Sequence, residues 1–306
     1  MVSTIKTGLL AASALFVCAL APMTAQAEAP AVVVKPAQIK PAMWVIRDAD
    51  STIYLLGSIH VMKPDTPWLT PAIQTRFDSA QDVWFEIPDL DDKAGAGAIA
   101  QKFMFDPNGK MTEGLTPEEI AQVDAILKPM GVNATALKNM RKWAVGLIIT
   151  MQQINSLGYT TETGVDVSLM AQARAKGKTV NGFETMDSQM KALVPDNEAD
   201  ELAALRTTLT DVKTMPQNLG DLFDAWKKGD TAEISHLMID KMQAEDPKSY
   251  RRLIVERNAA WEPQIEHMLA GKGTVFITVG AGHLIGPDSV IVMLKQHGIT
   301  AERLSD

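Results

Sequence analysis

Cysteine is all but missing from this chain of 306 residues: the single one, Cys18, stands inside an apolar stretch near the N-terminus. Disulfide frameworks, thiol nucleophiles and cysteine-ligated zinc are therefore excluded beyond residue 18. Basic runs are missing too. Lys and Arg number 29 against 37 Asp and Glu, a net charge of −8, so there is no electrostatic footprint for nucleic acid. After residue 20, no apolar run approaches the roughly 20 residues that a membrane span needs. The chain also lacks a Walker A loop, a Gly-x-Gly-x-x-Gly turn, a Gly-x-Ser-x-Gly elbow and a helix-borne His-Glu-x-x-His pair. Nucleotide binding and serine hydrolysis are thereby disfavoured. Aromatics are few, at 6%, yet 46% hydrophobic and 22% charged residues make an ordinary globular composition.

What is present begins with a targeting pattern. Lys6, an apolar run over 9–20 and Ala25-Gln26-Ala27 before Glu28 read as a secretory signal over residues 1–27. Cleavage after Ala27 implies export, in a bacterium to the periplasm. Residues 28–42, rich in Pro and Ala, read as an extended linker. No later break in composition divides 43–306, which is expected to be one domain.

Short β-rich runs over 43–47 and 52–56 flank Asp48-Ala49-Asp50-Ser51 and predict a hairpin. Runs over 83–87, 179–183 and 274–279 read as buried strands. Thr116-Pro117-Glu118-Glu119 is a capping box that opens a helix ending at Leu127. Further helices are expected over 142–156, 166–176, 196–209, 219–227 and 249–269, with Pro263 kinking or dividing the last. Strands separated by helices predict an α/β fold: a single compact domain whose central mixed, partly parallel sheet is flanked by helices. The stretch 95–175 reads as a helical insertion.

Two strand ends repeat one pattern. Ile53-Tyr54-Leu55-Leu56 runs into Gly57-Ser58-Ile59-His60, and Val275-Phe276-Ile277-Thr278-Val279 runs into Gly280-Ala281-Gly282-His283. Glycine permits a tight turn off the strand, and the histidine then projects beyond the sheet's carboxyl edge, where open α/β sheets bind ligands. Val83-Trp84-Phe85-Glu86 and Val180-Asn181-Gly182-Phe183-Glu184 form a second echo, each ending in Phe-Glu. One Gly-x-x-His alone is uninformative, and a strand-end glutamate is more often simply solvated. In one sheet, however, His60, His283, Glu86 and Glu184 would reach the same edge. Two imidazoles and two carboxylates suit a divalent transition metal (zinc, manganese, cobalt or iron), and either carboxylate can instead stay free as a general base. On the helix over 249–269, Arg257 and Asn258 border a core face of Leu253, Ile254, Trp261, Ile265 and Met268. Arg257 is either solvated over Trp261 or turned inward to fix a carboxylate or polarise a carbonyl. His236, His267 and His297 read as structural or surface side chains.

Taken in order, Trp44-Val45-Ile46, Tyr54 to Val61, Phe85-Glu86, Phe183-Glu184-Thr185, Glu256-Arg257-Asn258 with Trp261, and Val279 to His283 resemble the TraB/GumN family. Asp166, with Leu169 and Ala173, resembles that family's Asp-led helix. The family is grouped with the EreA/ChaN-like superfamily and with the animal Tiki proteins. The resemblance implies an EreA/ChaN-like α/β fold in which both Gly-x-x-His motifs face one site. His60 and His283 match the paired histidines, Glu86 and Glu184 the acids, and Arg257 and Asn258 the helix pair. The expectation is an exported, metal-dependent, peptidase-like hydrolase acting on a peptide or small molecule. His60, His283 and one glutamate would hold the metal and the other glutamate would activate water. Arg257 would stabilise an oxyanion and Asn258 would orient a ligand. Related folds also imply an alternative, a non-catalytic periplasmic binding protein for haem, a metal ion or a small signalling peptide.

Overall fold

Four strands that run in the same direction decide where the chemistry of this chain gathers. The computed structural model describes residues 39–89 and 92–305; the expected signal at 1–27 and residues 28–38 of the expected linker lie outside the described residues. The strands are β1 (Met43–Arg47), β2 (Ser51–Ser58), β3 (Asp82–Phe85), β4 (Thr179–Gly182), β5 (Gly273–Gly280) and β6 (Glu302–Arg303). They form one sheet in the order β4-β3-β5-β2-β1-β6. Neighbours β4, β3, β5 and β2 pair in parallel, whereas β1 pairs antiparallel with both β2 and β6. The expected hairpin is thus present, with Met43 opposite Leu56. Its turn closes because the Asp48 carboxylate accepts from the backbone N–H of Ser51 at 2.7 Å and of Asp50 at 3.1 Å. The central strand β5 carries Phe276, Ile277 and Val279, all buried, which is the continuous apolar run expected of a strand covered on both faces.

The helices are α1 (Pro71–Ser79), α2 (Lys93–Met104), α3 (Pro117–Leu127), α4 (Lys142–Ser156), α5 (Val165–Ala175), α6 (Met186–Leu193), α7 (Glu198–Asp211) and α8 (Met215–Lys228). Short helices α9 (Thr231–Ile234), α10 (Lys241–Glu245) and α11 (Pro247–Tyr250) lead to α12 (Glu256–Leu269) and α13 (Val290–Gln296). A mixed sheet flanked by helices is therefore the architecture. Two wide π-helical turns, Ser235–Asp240 and Arg251–Val255, join α9 to α10 and α11 to α12. Pro263 lies inside α12 without ending it, because Trp261 and Ile265 on either side are anchored in the core. The irregularity in this helical run falls at 251–255, one turn before the functional pair.

Two further differences from the sequence reading have plain physical causes. Residues 39–42 are not free linker. Ile39 and Ala42 are buried in the main core, Lys40 N–H donates to the Lys227 carbonyl at 2.7 Å, and Gly57 N–H donates to the Ala42 carbonyl at 3.1 Å. The helical insertion does not close at 175 either. A second core of Met111, Val123, Leu127, Trp143, Leu205 and Leu209 joins α3 and α4 to the later α7, while α5 returns Val165, Leu169 and Ala173 to the main core.

The capping box read from the sequence is formed: Thr116 Oγ1 accepts from the Glu119 N–H at 3.2 Å, and Glu119 Oε2 accepts from the Thr116 N–H at 2.8 Å. Thr116→Ala should cost about 1 kcal/mol in urea denaturation. An unchanged midpoint would mean that α3 is held by the second core alone.

Candidate active site

Because β2, β3, β4 and β5 are parallel, their carboxyl ends meet at one edge. Ser58 is paired with Gly280, and Phe85 with both Thr278 and Gly182, so the four strand ends stand side by side. The β3–β4 ladder continues past the strands: Phe183 N–H donates to the Phe85 carbonyl and Glu184 N–H to the Glu86 carbonyl, each at 3.0 Å. The Gly57 end is pinned by the Trp226 indole N–H, which donates to the Gly57 carbonyl at 2.8 Å. Gly280 is a close-approach glycine, since a Cβ there would lie 3.0 Å from His60 Nε2 and 3.1 Å from Glu86 Oε1.

Each histidine is held from behind. His60 donates from Nδ1 to Asp166 Oδ2 at 2.7 Å, and the other oxygen of Asp166 accepts from the Ser58 hydroxyl at 2.7 Å. His283 donates from Nδ1 to Asn258 Oδ1 at 2.7 Å, and the Asn258 amide donates to the Asp288 carbonyl at 2.8 Å. The His283 ring rests against Trp261, centroids 4.3 Å apart. Both rings thus turn Nε2 toward Glu86 Oε1, at 3.5 Å for His60 and 3.8 Å for His283. Glu86 is fixed in turn by the Gly280 N–H at 2.8 Å, by Gln189 at 3.0 Å and by Arg257 at 2.6 Å.

Arg257 is buried at the middle of this group. Nε and Nη2 donate to Glu184 Oε1, Nη2 also donates to Glu86 Oε2, and Nη1 donates to the Leu253 carbonyl and to His283 Nε2, both at 3.1 Å. Every guanidinium nitrogen is engaged, and Arg257 serves here as the counter-charge for two buried carboxylates. Of the two glutamates, whose roles the sequence left open, Glu184 is the one away from the imidazoles. Its partners are Arg257 and Gln189, and it meets the guanidinium rather than the imidazoles. His60 and His283 each bring Nε2 close to Glu86 Oε1, at 3.5 and 3.8 Å, although the three donor atoms do not all lie within 4.8 Å of one another, and Glu184 stands across Arg257 from them.

The protonation states follow from these contacts. Burial opposes the charge on Glu86, but Arg257, His283 and His60 outweigh it and hold the carboxyl well below the usual range. Burial, then the Arg257 charge, depresses His283 to about 3, so its ring is neutral. His60 goes the other way: burial lowers its pKa, yet Asp166 and Glu86 raise it well above an ordinary imidazole. Burial raises Glu184 despite the attraction of Arg257.

The residues present fit a transition metal by donor chemistry. Two imidazoles oriented through Nδ1 by a carboxylate and an amide, with a carboxylate between their Nε2 atoms, form the kind of donor set whose outer partners fix ligand orientation. Nη1 of Arg257 donates to His283 Nε2 at 3.1 Å. A small pocket opens over this edge. Ser58, His60 and His283 form its polar end, and Leu219, Leu222, Trp226, Met238, Met242 and Ile254 contribute to an apolar wall. Among the described residues, no helix is long and apolar enough to cross a membrane.

Asp166 entered the sequence reading only through the family resemblance, and Gln189 not at all. Asp166 lies in the first turn of α5, 106 residues from His60, so no local spacing connects them. Gln189 had a faint local signal: Thr185 caps a helix directly after Glu184, and one turn later Gln189 faces back to the strand ends.

The TraB/PrgY/gumN family matches residues 42–303. The uncharacterized protein YbaP of Escherichia coli (strain K12) is 24% identical over 258 residues, covering 83% of this chain and 92% of YbaP. An uncharacterized protein of Treponema pallidum (strain Nichols) is 20% identical over 266 residues, covering 83% of this chain and 80% of that protein. Metalloprotease TIKI2 of Danio rerio is 25% identical over 308 residues, covering 81% of this chain but only 58% of TIKI2. No solved structure matches the chain.

Two outcomes test the electrostatics. Arg257→Met leaves Glu86 and Glu184 buried without their cation and should destabilise the fold by about 3–5 kcal/mol in urea denaturation, against much less for Glu184→Gln. In chelator, the unfolded chain takes up a proton on residue 283 between the ordinary imidazole value, 6.5, and about 3, and the native state does not. His283 therefore contributes stability that is fully present above 6.5 and lost toward pH 3, whereas His60 contributes stability present below 6.5 and lost as pH rises through its elevated value. His283→Gln should flatten the acid limb of the stability–pH curve; an unaltered slope between pH 3 and 6.5 would contradict a neutral buried His283.

Proposed function

The chain belongs to the TraB/PrgY/gumN family, and from that membership we propose that it is an exported metal-dependent hydrolase that cleaves a peptide beside a bulky apolar side chain. One observation carries the reading: His60 Nε2 and His283 Nε2 approach a single oxygen of Glu86, each ring fixed through its other nitrogen. The name of the relative TIKI2, a metalloprotease, supports both the metal and the peptide bond. Export rests on the signal pattern at 1–27.

His60, His283 and Glu86 would hold a divalent zinc, manganese, cobalt or iron ion, which when bound supplies Lewis acidity and a water of lowered pKa. The chain's own residues do the rest. Asp166 and Asn258 keep the two imidazoles aimed at Glu86. Arg257 holds Glu86 ionised and keeps it and Glu184 apart. Glu184, its pKa raised by burial, would accept a proton from water and return it to a leaving amine. The apolar wall of the cleft receives the substrate side chain and excludes water from that end.

The test is hydrolysis of a peptide panel by the mature protein, purified without affinity-tag histidines and loaded with one metal at a time. Turnover should vanish on chelation and return with metal. Glu184→Gln should lower kcat about 10²–10⁴-fold with metal content unchanged, and the His60→Ala/His283→Ala double variant should lose the metal equivalent that restores turnover. Full activity after chelation, or in Glu184→Gln, would overturn this reading. A second reading draws on the fact that Arg257 already satisfies both glutamates: a non-catalytic binding protein for haem, a metal ion or a small signalling peptide. Stoichiometric ligand binding with no turnover on the panel would favour it.

A further inference from the structure

Farther along α12, a second group of ionisable side chains gathers where that helix packs on α13. Glu262 and Glu266 lie one turn apart on the same face of α12, and His297 follows the last turn of α13. His297 Nδ1 is 2.8 Å from Glu262 Oε1 and 2.8 Å from Glu266 Oε1. An imidazole has at most one proton at that nitrogen, which pairs in a hydrogen bond with Glu266. Glu262 Oε1 accepts no hydrogen bond, although the residue is only 4% exposed. A carboxylate oxygen buried without a donor is costly to keep. It is aimed at a point where one ring nitrogen and two carboxylate oxygens lie within 4.8 Å of one another.

We propose that Glu262, Glu266 and His297 form a divalent-cation site of the zinc class that ties α12 to α13. The cation supplies the positive partner that the single imidazole proton cannot give to both oxygens. Donor atoms around a tetrahedral zinc stand about 3.4 Å apart for bonds of about 2.1 Å, so the two contacts of His297 need to lengthen by only about half an ångström as the proton leaves Nδ1 to solvent. The half-exposed side chains of His297 and Glu266 leave the outer face open to a water ligand. The imidazole selects zinc and its transition-metal neighbours over magnesium and calcium, which take oxygen donors. The site is remote in function from the cleft but joined to it in structure. Helix α12 carries Arg257 and Asn258, and α13 follows the loop of His283, so a tie between them steadies both supports of the His283 ring.

Zinc titration by calorimetry, with elemental analysis, tests the site on the mature protein, His297→Gln, Glu266→Gln and the His60→Ala/His283→Ala double variant. His297 and Glu266 are exposed enough for their variants to fold, and circular dichroism checks that they do. Wild type and the double variant should each bind a zinc equivalent that both His297→Gln and Glu266→Gln bind at least tenfold more weakly. Zinc should raise the unfolding midpoint of wild type but not of His297→Gln, and magnesium at the same concentration should do neither. Unchanged zinc binding in His297→Gln and Glu266→Gln overturns the proposal, as does a wild type whose only zinc disappears with His60 and His283. The last result leaves the hydrolase reading standing, whereas one zinc lost only with His297 sustains this site and removes the metal from the cleft.

Discussion

A guanidinium shut away from water between two carboxylates is the constraint on which the rest of this structure depends. Arg257 pairs with Glu86 and Glu184, and those acids come from the ends of two neighbouring parallel strands. Burying three ionisable groups is costly, and such a cluster is tolerated only when each charge is matched and its remaining donors are used. Here they are used: the Leu253 carbonyl, His283, Gln189 and the Gly280 N–H complete the set. The cluster therefore joins helix α12 to the ends of β3, β4 and β5 and fixes where Glu86 can point.

That fixed carboxylate sets the geometry of the histidines. His60 is aligned by Asp166 at the start of α5, and His283 by Asn258 on α12, so two helices well separated along the chain hold two rings against one oxygen. Each ring has lost its rotational freedom before any ligand arrives, which is the preorganisation that a site for metal or proton chemistry needs. The wide helical turn at Arg251–Val255 lies just before Arg257 and presents Ile254 to the cleft. Departures of this kind from α-helical geometry recur at functional sites.

The sequence was most legible where one local rule governed. Strands β1, β2 and β5, the Thr116 cap and both Gly-x-x-His turns could be read because apolar runs, capping chemistry and glycine each act over a few residues. The echo of Phe-Glu marks the two strand ends from which both acids come. It could not say which acid faces the histidines, because that depends on strand order: β3 lies against β5, and β4 is the outer strand, so Glu86 is central and Glu184 peripheral. Asp166 and Gln189 were hidden because helices bring them in from outside the motifs. The burial of Ile39 and Ala42 was hidden as well, since a Pro- and Ala-rich segment reads as linker until the groove that receives it exists.

The most direct measurement is X-ray absorption at the cobalt edge on His297→Gln protein carrying one equivalent of cobalt. With the α12–α13 group removed, the account predicts a single first shell containing two imidazole nitrogens and at least one carboxylate oxygen, from His60, His283 and Glu86. A shell with one imidazole or none, or protein that takes up no cobalt, would contradict it.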